Sequence, residues 1–462
     1  MIRQNPSQIE SSKSAAASSG HRSLEGLHSS VDVPRADAGF WKQYRAFVGP
    51  ALLVSVGYMD PGNWGTDLQA GAQFKYGLLW VVGLSSLMAM VLQICASKLG
   101  VVLGKDLAQA CRDHYPAWTR IPNWLFCELA IGACDLAEVL GSAVAINLLF
   151  GIPLFWAVVI TAFDVLLLLS LQGLGMRLIE ALIFVLISTI GVCYFIEIFV
   201  LPQTSPSFLE MGRALISPSL GDERMVVLAI GIIGATVMPH NLYLHSALVQ
   251  SRRFQSDDAS IRKAIQFNTL DSIVALSLAF LVNAAILVLA ALVFFKPNGQ
   301  TPEDTDWIRV AYLTLAPLLG TMAASILFAV ALLASGQSST ITGTLAGQVV
   351  MEGFMHWRIR PWLRRLLTRG LAIIPALAII GLRGDSSVTD LLVLSQVVLA
   401  IQLPLAMFPL MHFTSSRRYM GRFANGWFLL IAGWTATILI TALDFYGLPG
   451  IIPAAWKTIT GG

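Results

Sequence analysis

Gly57-Tyr58-Met59-Asp60-Pro61-Gly62-Asn63 interrupts an apolar run that extends from about residue 47 to residue 73, and the reading of this interruption decides the fold. Proline removes a helix hydrogen bond and glycine carries no Cβ, so a helix that begins near Phe47 breaks at this point. At about 1.5 Å per residue the break lies about 20 Å along, near the centre of a hydrocarbon core about 30 Å thick. A second break, Met238-Pro239-His240, sits equally deep in the run 225–249. It falls five spans after the first. Because five is odd, the second half enters the membrane from the opposite side, the pattern of an inverted repeat with a site at the midplane.

Composition sets the surroundings of those breaks. Hydrophobic residues are 56% of the 462 and charged residues 12%, about half the share usual in soluble domains. Lipid-facing backbone must be paired internally, which leaves helix bundles or closed barrels. The apolar runs are continuous and do not alternate at period two, which selects helices. Eleven spans are expected, at about 47–73, 77–103, 123–149, 152–172, 178–201, 225–249, 267–295, 308–345, 369–383, 389–412 and 424–445. The chain reads as an all-α polytopic membrane protein with a disordered cytoplasmic tail (1–40), a transmembrane domain (41–446) and a short C-terminal tail (447–462).

With the N-terminus inside, 23 of the 30 basic residues fall on the cytoplasmic side of these spans, as the positive-inside rule requires. That places the C-terminus outside and the chain in the cytoplasmic membrane. The net charge of +3 is accounted for by this topology and carries no sign of nucleic-acid binding. The N-terminal stretch shows no signal-peptide pattern. Five cysteines, an odd number without CxxC spacing, argue against a disulfide framework.

A carboxylate at the bilayer centre is costly unless compensated, and a bound cation compensates it. Asn63 adds an amide oxygen, an unwound segment frees carbonyls such as those of Gly57 and Ala235, and Met238 adds a thioether. The sulfur favours manganese, iron and later transition metals over magnesium and calcium. Taken singly, the features have plainer readings: an acid paired with a buried arginine, a proline kink, a methionine filling the core. It is the matching of the two breaks that favours a shared ion.

The stretch 57–63 and the stretch Gly234-Ala235-Thr236-Val237-Met238-Pro239-His240-Asn241-Leu242-Tyr243-Leu244-His245 closely resemble the two signature motifs of the Nramp (natural resistance-associated macrophage protein) family of metal transporters. The resemblance extends over the chain from about residue 40. It implies the leucine-transporter fold, a 5+5 inverted repeat with helices 1 and 6 broken, and proton-coupled uptake of Mn²⁺ or Fe²⁺ into the cytoplasm. It also implies ligation by Asp60, Asn63, Met238 and the Ala235 carbonyl, with Gln396 completing coordination when the site is occluded. Relatives that carry magnesium or aluminium depart from the motif at the methionine, which is present here. Many members have alanine where this chain has Gly57.

Glu128, Asp135 and Glu138, at spacings of seven and three, lie on one face of the third span. Acids in a span commonly relay protons, and Asp135 and Glu138 match the acidic pair to which the resemblance assigns that role. Glu128 reads as an interface residue, and Asp135 has the alternative of a basic partner. His240 and His245 either relay protons or pack. Arg364, Arg365 and Arg369 open the ninth span, on the proton route by resemblance or as positive-inside anchors. Gln396 has the alternative of an interhelical hydrogen bond. Ser335, Gln337, Ser338, Ser339 and Thr340 give the eighth span polar groups for packing or a wet vestibule.

The leading expectation is therefore a proton-coupled importer of divalent transition metal, with no prosthetic group, no enzymatic chemistry and no obligate protein partner. Its partners are the metal ion, protons and the bilayer. The alternative within the same architecture is a cation-coupled amino-acid symporter. A membrane enzyme or sensor finds no support, since no Ser-His-Asp set, HExxH or nucleotide loop is present.

Overall fold

The computed structural model describes residues 23–34, 38–163, 176–200, 206–221, 223–255, 257–295, 322–383 and 388–460. The described residues begin with a 3-10 turn, Glu25–Leu27, followed by strand β1 (Val31–Asp32) and helix α1 (Phe40–Phe47). The first membrane helix is in two pieces, α2 (Pro50–Ser55) and α3 (Pro61–Phe74), joined by a 3-10 turn, Val56–Met59. Helices α4 (Leu79–Leu103), α5 (Leu107–His114), α6 (Arg120–Phe150), α7 (Leu154–Thr161) and α8 (Met176–Phe195) complete the first half, and α9 (Phe208–Ile216) follows. The second broken helix is α10 (Glu223–Thr236) and α11 (Pro239–Leu248), leading into β2 (Arg252–Arg253). Then come α12 (Asp258–Val293), α13 (Met322–Met355), α14 (Pro361–Arg383), α15 (Val388–Ser415), α16 (Arg417–Met420) and α17 (Trp427–Thr460).

Among the described residues, nine helices are long and apolar enough to cross a membrane, and the short apolar helix Pro50–Met59 ends at the first break. The bundle has the polarity of a membrane protein. Large apolar side chains such as Leu371 (72% exposed) and Phe445 (69%) cover its outside, while Asp60, Asn63, Asp135, Glu138, Arg365 and Arg369 are buried. Charge survives in such an interior only when it is paired or neutralised. The two broken helices lie at the centre: α3 packs on α12, α10 on α15, and α6 on α13.

Several boundaries differ from the sequence expectation. The ninth span begins at Pro361, not 369, so Arg364, Arg365 and Arg369 lie within helix α14 and are buried. An apolar-run criterion stops at charges, whereas these arginines meet acids across the bundle and need no water. The seventh span begins at Asp258, where Asp257 caps the helix by accepting from the amides of Ala259 and Ser260, each at 3.1 Å. The eighth runs to Met355, its expected start at 308–321 lying outside the described residues, as does 164–172 of the fourth. Helix α17 continues to Thr460, through the expected C-terminal tail. Finally, residues 23–34, expected within a disordered tail, are docked: β1 pairs in parallel with β2, and Leu24 and Val31 are buried. Their apolar side chains were too few to register against a Ser-rich background.

Candidate metal site

Asp60 ends the first half-helix because its backbone turns extended, at φ −69° and ψ 165°. It caps α3: its Oδ1 accepts from the Asn63 backbone amide at 2.8 Å and from Asn63 Nδ2 at 2.8 Å. Pro61 follows as the first helical residue, where its missing N–H costs nothing. Met238 does the same for α11, extended at φ −60° and ψ 121° and followed by Pro239. The helix-breaking chemistry read from the two motifs is thus the local reason both helices are interrupted at these points.

The amide nitrogen of Asn63 marks the centre of the site. Besides Asp60 Oδ1, it donates to the carbonyl of Ala235 at 3.2 Å and approaches that of Gly57 at 3.4 Å. Three oxygens, one from a carboxylate and two from backbone carbonyls in the last turns before the breaks, therefore converge on one electropositive NH₂ group. Turning that amide over would present Oδ1 to the same space, leaving four oxygens around a position that a cation could take. Asn283 Nδ2 donates to the Tyr58 carbonyl at 2.7 Å and lies 3.4 Å from Asn63 Oδ1, fixing the unwound turn to α12.

Sulfur borders this cluster on the other side. Met238, fully buried, forms one contiguous group with Ala130, Cys134 and Leu399. The Cys134 thiol lies 4.0 Å from Asp60 Oδ2 and 3.7 Å from Glu138 Oε1. Gln396 stands against the first break: a Cβ on Gly62 would occupy the space of its amide. Gln396 Nε2 donates to Ser395 Oγ at 2.9 Å, and its Oε1 has no partner among the described residues. Gly57 has a similar neighbour, since a Cβ there would overlap the end of the Asn241 side chain of α11.

The acids of α6 meet the arginines of α14. Arg365 bonds Asp135 through Nη1 and donates to Glu138 Oε2 through Nη2 at 2.8 Å. Arg369 Nη1 lies 3.6 Å from Glu138 Oε2 and 3.4 Å from the Asp135 carbonyl. Ser339 and Thr340 donate to Glu138 at 3.0 and 3.2 Å, which assigns part of the polar stretch of α13 to this cluster. Arg364 is separate: it pairs with the partly exposed Glu128 at 2.7 Å, an ion pair that the expectation of an interface residue did not include. Arginine anchoring at the membrane surface is likewise not what Arg365 and Arg369 do.

His240 is buried, and its Nδ1 has no partner among the described residues. His245 Nδ1 donates to Gln93 Oε1 at 2.9 Å, and Gln93 Nε2 donates to the Tyr58 hydroxyl at 2.7 Å. This chain joins α11, α4 and the first break beside the site. Sequence reasoning missed Cys134, Asn283, Asn241 and Gln93. Cys134 carried a signal, lying four residues before Glu138 and so on its helix face; the others are single amides in apolar spans, indistinguishable from packing residues.

Comparison with known proteins gives the following. The sequence profile of a family described as natural resistance-associated macrophage protein-like matches residues 51–449. A divalent metal cation transporter, MntH, of a Nostoc species is 52% identical over 423 residues, covering 91% of this chain and 94% of that protein. MntH of Listeria innocua is 48% identical, covering 92% and 94%. The crystal structure of a manganese transporter from Eremococcus coleocola superimposes with a TM-score of 0.85 at 42% identity, covering 93% of this chain and 91% of that one. Mhp1, a nucleobase-cation-symport-1 family transporter, shares the fold at a TM-score of 0.58 and 14% identity, covering 93% and 95%.

Proposed function

This chain belongs to the Nramp family, and from that premise we propose that it imports divalent transition metal ions, Mn²⁺ foremost and Fe²⁺ with it, coupled to protons. It is a multi-pass membrane transporter of divalent metal cations and not an enzyme. The observation that carries the ion-binding reading is the convergence of Asp60 Oδ1 and the Ala235 and Gly57 carbonyls on the amide of Asn63. On this reading the ion is held by Asp60, Asn63, the two carbonyls and Met238. Gln396 swings its free Oε1 inward as the site closes. A thioether among oxygen donors supports manganese and iron against the more abundant hard cations.

Protons take a separate branch. Asp135 and Glu138 share Arg365 and are backed by Arg369, so loss or gain of one proton reorganises a single closed network. Cys134 lies between Glu138 and Asp60, which supports communication between the branches. His240 lies on the half-helix that begins at Met238 and belongs to this route, with Arg364 at its outer end. The N-terminus and the ends of α11 and α13 face the cytoplasm, and the C-terminus faces outside.

Proteoliposomes with a pH-sensitive dye inside test cargo and coupling together. Mn²⁺ uptake should acidify the lumen in the wild type and be lost in Asp60→Ala. Uptake without acidification removes the coupling, and absence of Mn²⁺ flux with saturable uptake of an amino acid overturns the reading.

A further inference from the structure

Two half-helices, α2 and α11, run from the metal site to the end of the bundle where β1 lies. A cation leaving toward that end needs α11 to part from α13, its packing partner. The seam between them includes Tyr243 of α11 against Phe354 of α13, with ring centroids 5.8 Å apart.

Residues 23–34 lie across this seam. On the α13 side the Leu24 amide donates to Glu352 Oε2 at 2.9 Å, a buried bond. Nearby, Gln109 Nε2 of α5 donates to Ser23 Oγ at 3.3 Å. On the α11 side, Ser23, Leu24, Leu27 and His28 border a small pocket with Ala247, Leu248 and Ser251. Beyond it the Ser29 amide donates to the Gln250 carbonyl at 3.0 Å and that of Val33 to the Arg253 carbonyl at 3.3 Å. Asp32 pairs with Arg253 at 3.2 Å. The segment precedes residue 51, where the family match begins.

Strand β2 also reaches the end of α1, which leads into the other half-helix. Arg252 donates to the carbonyls of Ala46 at 3.1 Å, Phe47 at 3.3 Å and Val48 at 2.6 Å, and pairs with Glu180 of α8 at 2.8 Å. The Gly49 and Ala51 amides donate to Asp271 Oδ2 at 3.2 and 3.0 Å. The same two-residue strand thus binds the segment 23–34 through its backbone and Arg253, and through Arg252 the end of α1 and its C-cap Val48, two residues before α2.

We propose that residues 23–34 are a staple that holds the cytoplasmic seam shut, and that undocking of this staple accompanies inward opening of both half-helices. The inference rests on the transport reading above. While docked, the staple adds buried apolar contacts and backbone hydrogen bonds to both sides of the seam, and on this proposal they are given up as the seam opens. A ligand or segment that binds one of two states shifts the equilibrium by its differential affinity. Removing it therefore favours the open arrangement.

The test compares the full chain with a form lacking residues 1–34 and with Leu24→Asp, which puts a carboxylate in the buried apolar place of Leu24, by Leu27, Ala247 and Leu248. Amide hydrogen exchange is followed over 50–59 and 239–253, alongside initial Mn²⁺ uptake. Expected are exchange over both stretches faster by at least about fivefold in the shortened chain, and a change of uptake rate in the same variants. In Leu24→Asp, exchange over 23–34 itself reports whether the staple has left. Exchange over 239–253 unchanged in a correctly inserted shortened chain, or in Leu24→Asp with the staple free, overturns the proposal. Because exchange is read without metal, a wild type that moves no Mn²⁺ refutes the transport reading and leaves the staple measurement standing.

Discussion

Arg365 Nη2 donates to Glu138 Oε2 at 2.8 Å, with both side chains buried in the middle of the bundle. The same guanidinium bonds Asp135, and Arg369 Nη1 lies 3.6 Å from Glu138 Oε2, so four charges share one desolvated space. Removing one partner of such a set leaves an uncompensated charge at a cost of about 3–5 kcal/mol. Arg365→Ala should therefore lower unfolding stability in detergent by about that much, and Arg365→Ala combined with Glu138→Gln should recover part of it. Equal loss in the single and double variants would show that the two residues do not act as a pair.

Met238 supplies the sulfur on which the choice of metal was argued. Met238→Ala should keep Mn²⁺ uptake while allowing Ca²⁺ or Mg²⁺ to compete, because the remaining donors are oxygens. Competition assays in proteoliposomes decide the matter. Selectivity identical to that of the wild type would remove the thioether from the argument.

Gly62 leaves no room for a side chain, since Gln396 occupies the place of its Cβ. Gly62→Ala should push Gln396 from the site and weaken Mn²⁺ binding, and adding Gln396→Ala should relieve the clash without restoring the donor. Binding measured by calorimetry should be weakened in both the single and the double variant, with thermal stability restored only in the double.

Cys134 offers one S–H to two acceptors, Asp60 and Glu138. A net hydrogen bond of about 0.5–1.5 kcal/mol corresponds to roughly a two- to tenfold effect. Cys134→Ala should raise the Mn²⁺ concentration for half-maximal uptake within that range, while Cys134→Ser, which keeps a donor, should stay near the wild type. Indistinguishable alanine and serine variants would mean that the thiol only fills space.

Asp106 lies outside the membrane spans and caps α5, accepting from the Gln109 amide at 2.9 Å. Burial pushes its carboxyl up to about 6, against the lowering effect of the Gln109 amide bond. A carboxyl whose value is higher folded than unfolded favours the folded state when protonated, so its contribution is lost as pH rises from about 4 through 6. Asp106→Asn keeps a good cap. The variant should match the wild type near pH 4 and exceed it by up to about 3 kcal/mol above pH 6. Melting curves across that range check it, and parallel curves would contradict the assignment.

The sequence by itself determined the membrane bundle, the two breaks and the residues that make them. Those features are local: proline and glycine end a helix wherever they stand, and a long apolar run has few other fates. Asp60, Asn63 and Met238 were legible because each sits at such a break. What only the tertiary structure decided is who meets whom across the bundle. Arg365 reaches Asp135 and Glu138, and Arg364 reaches Glu128, over more than two hundred residues of chain. The arginines consequently lie inside a helix that an apolar count starts too late. Cys134 gained its place only when α6 packed beside both breaks, and residues 23–34 became ordered only because Glu352 and β2 receive them. Spacing along one chain records a helix face; it does not record which face lies opposite.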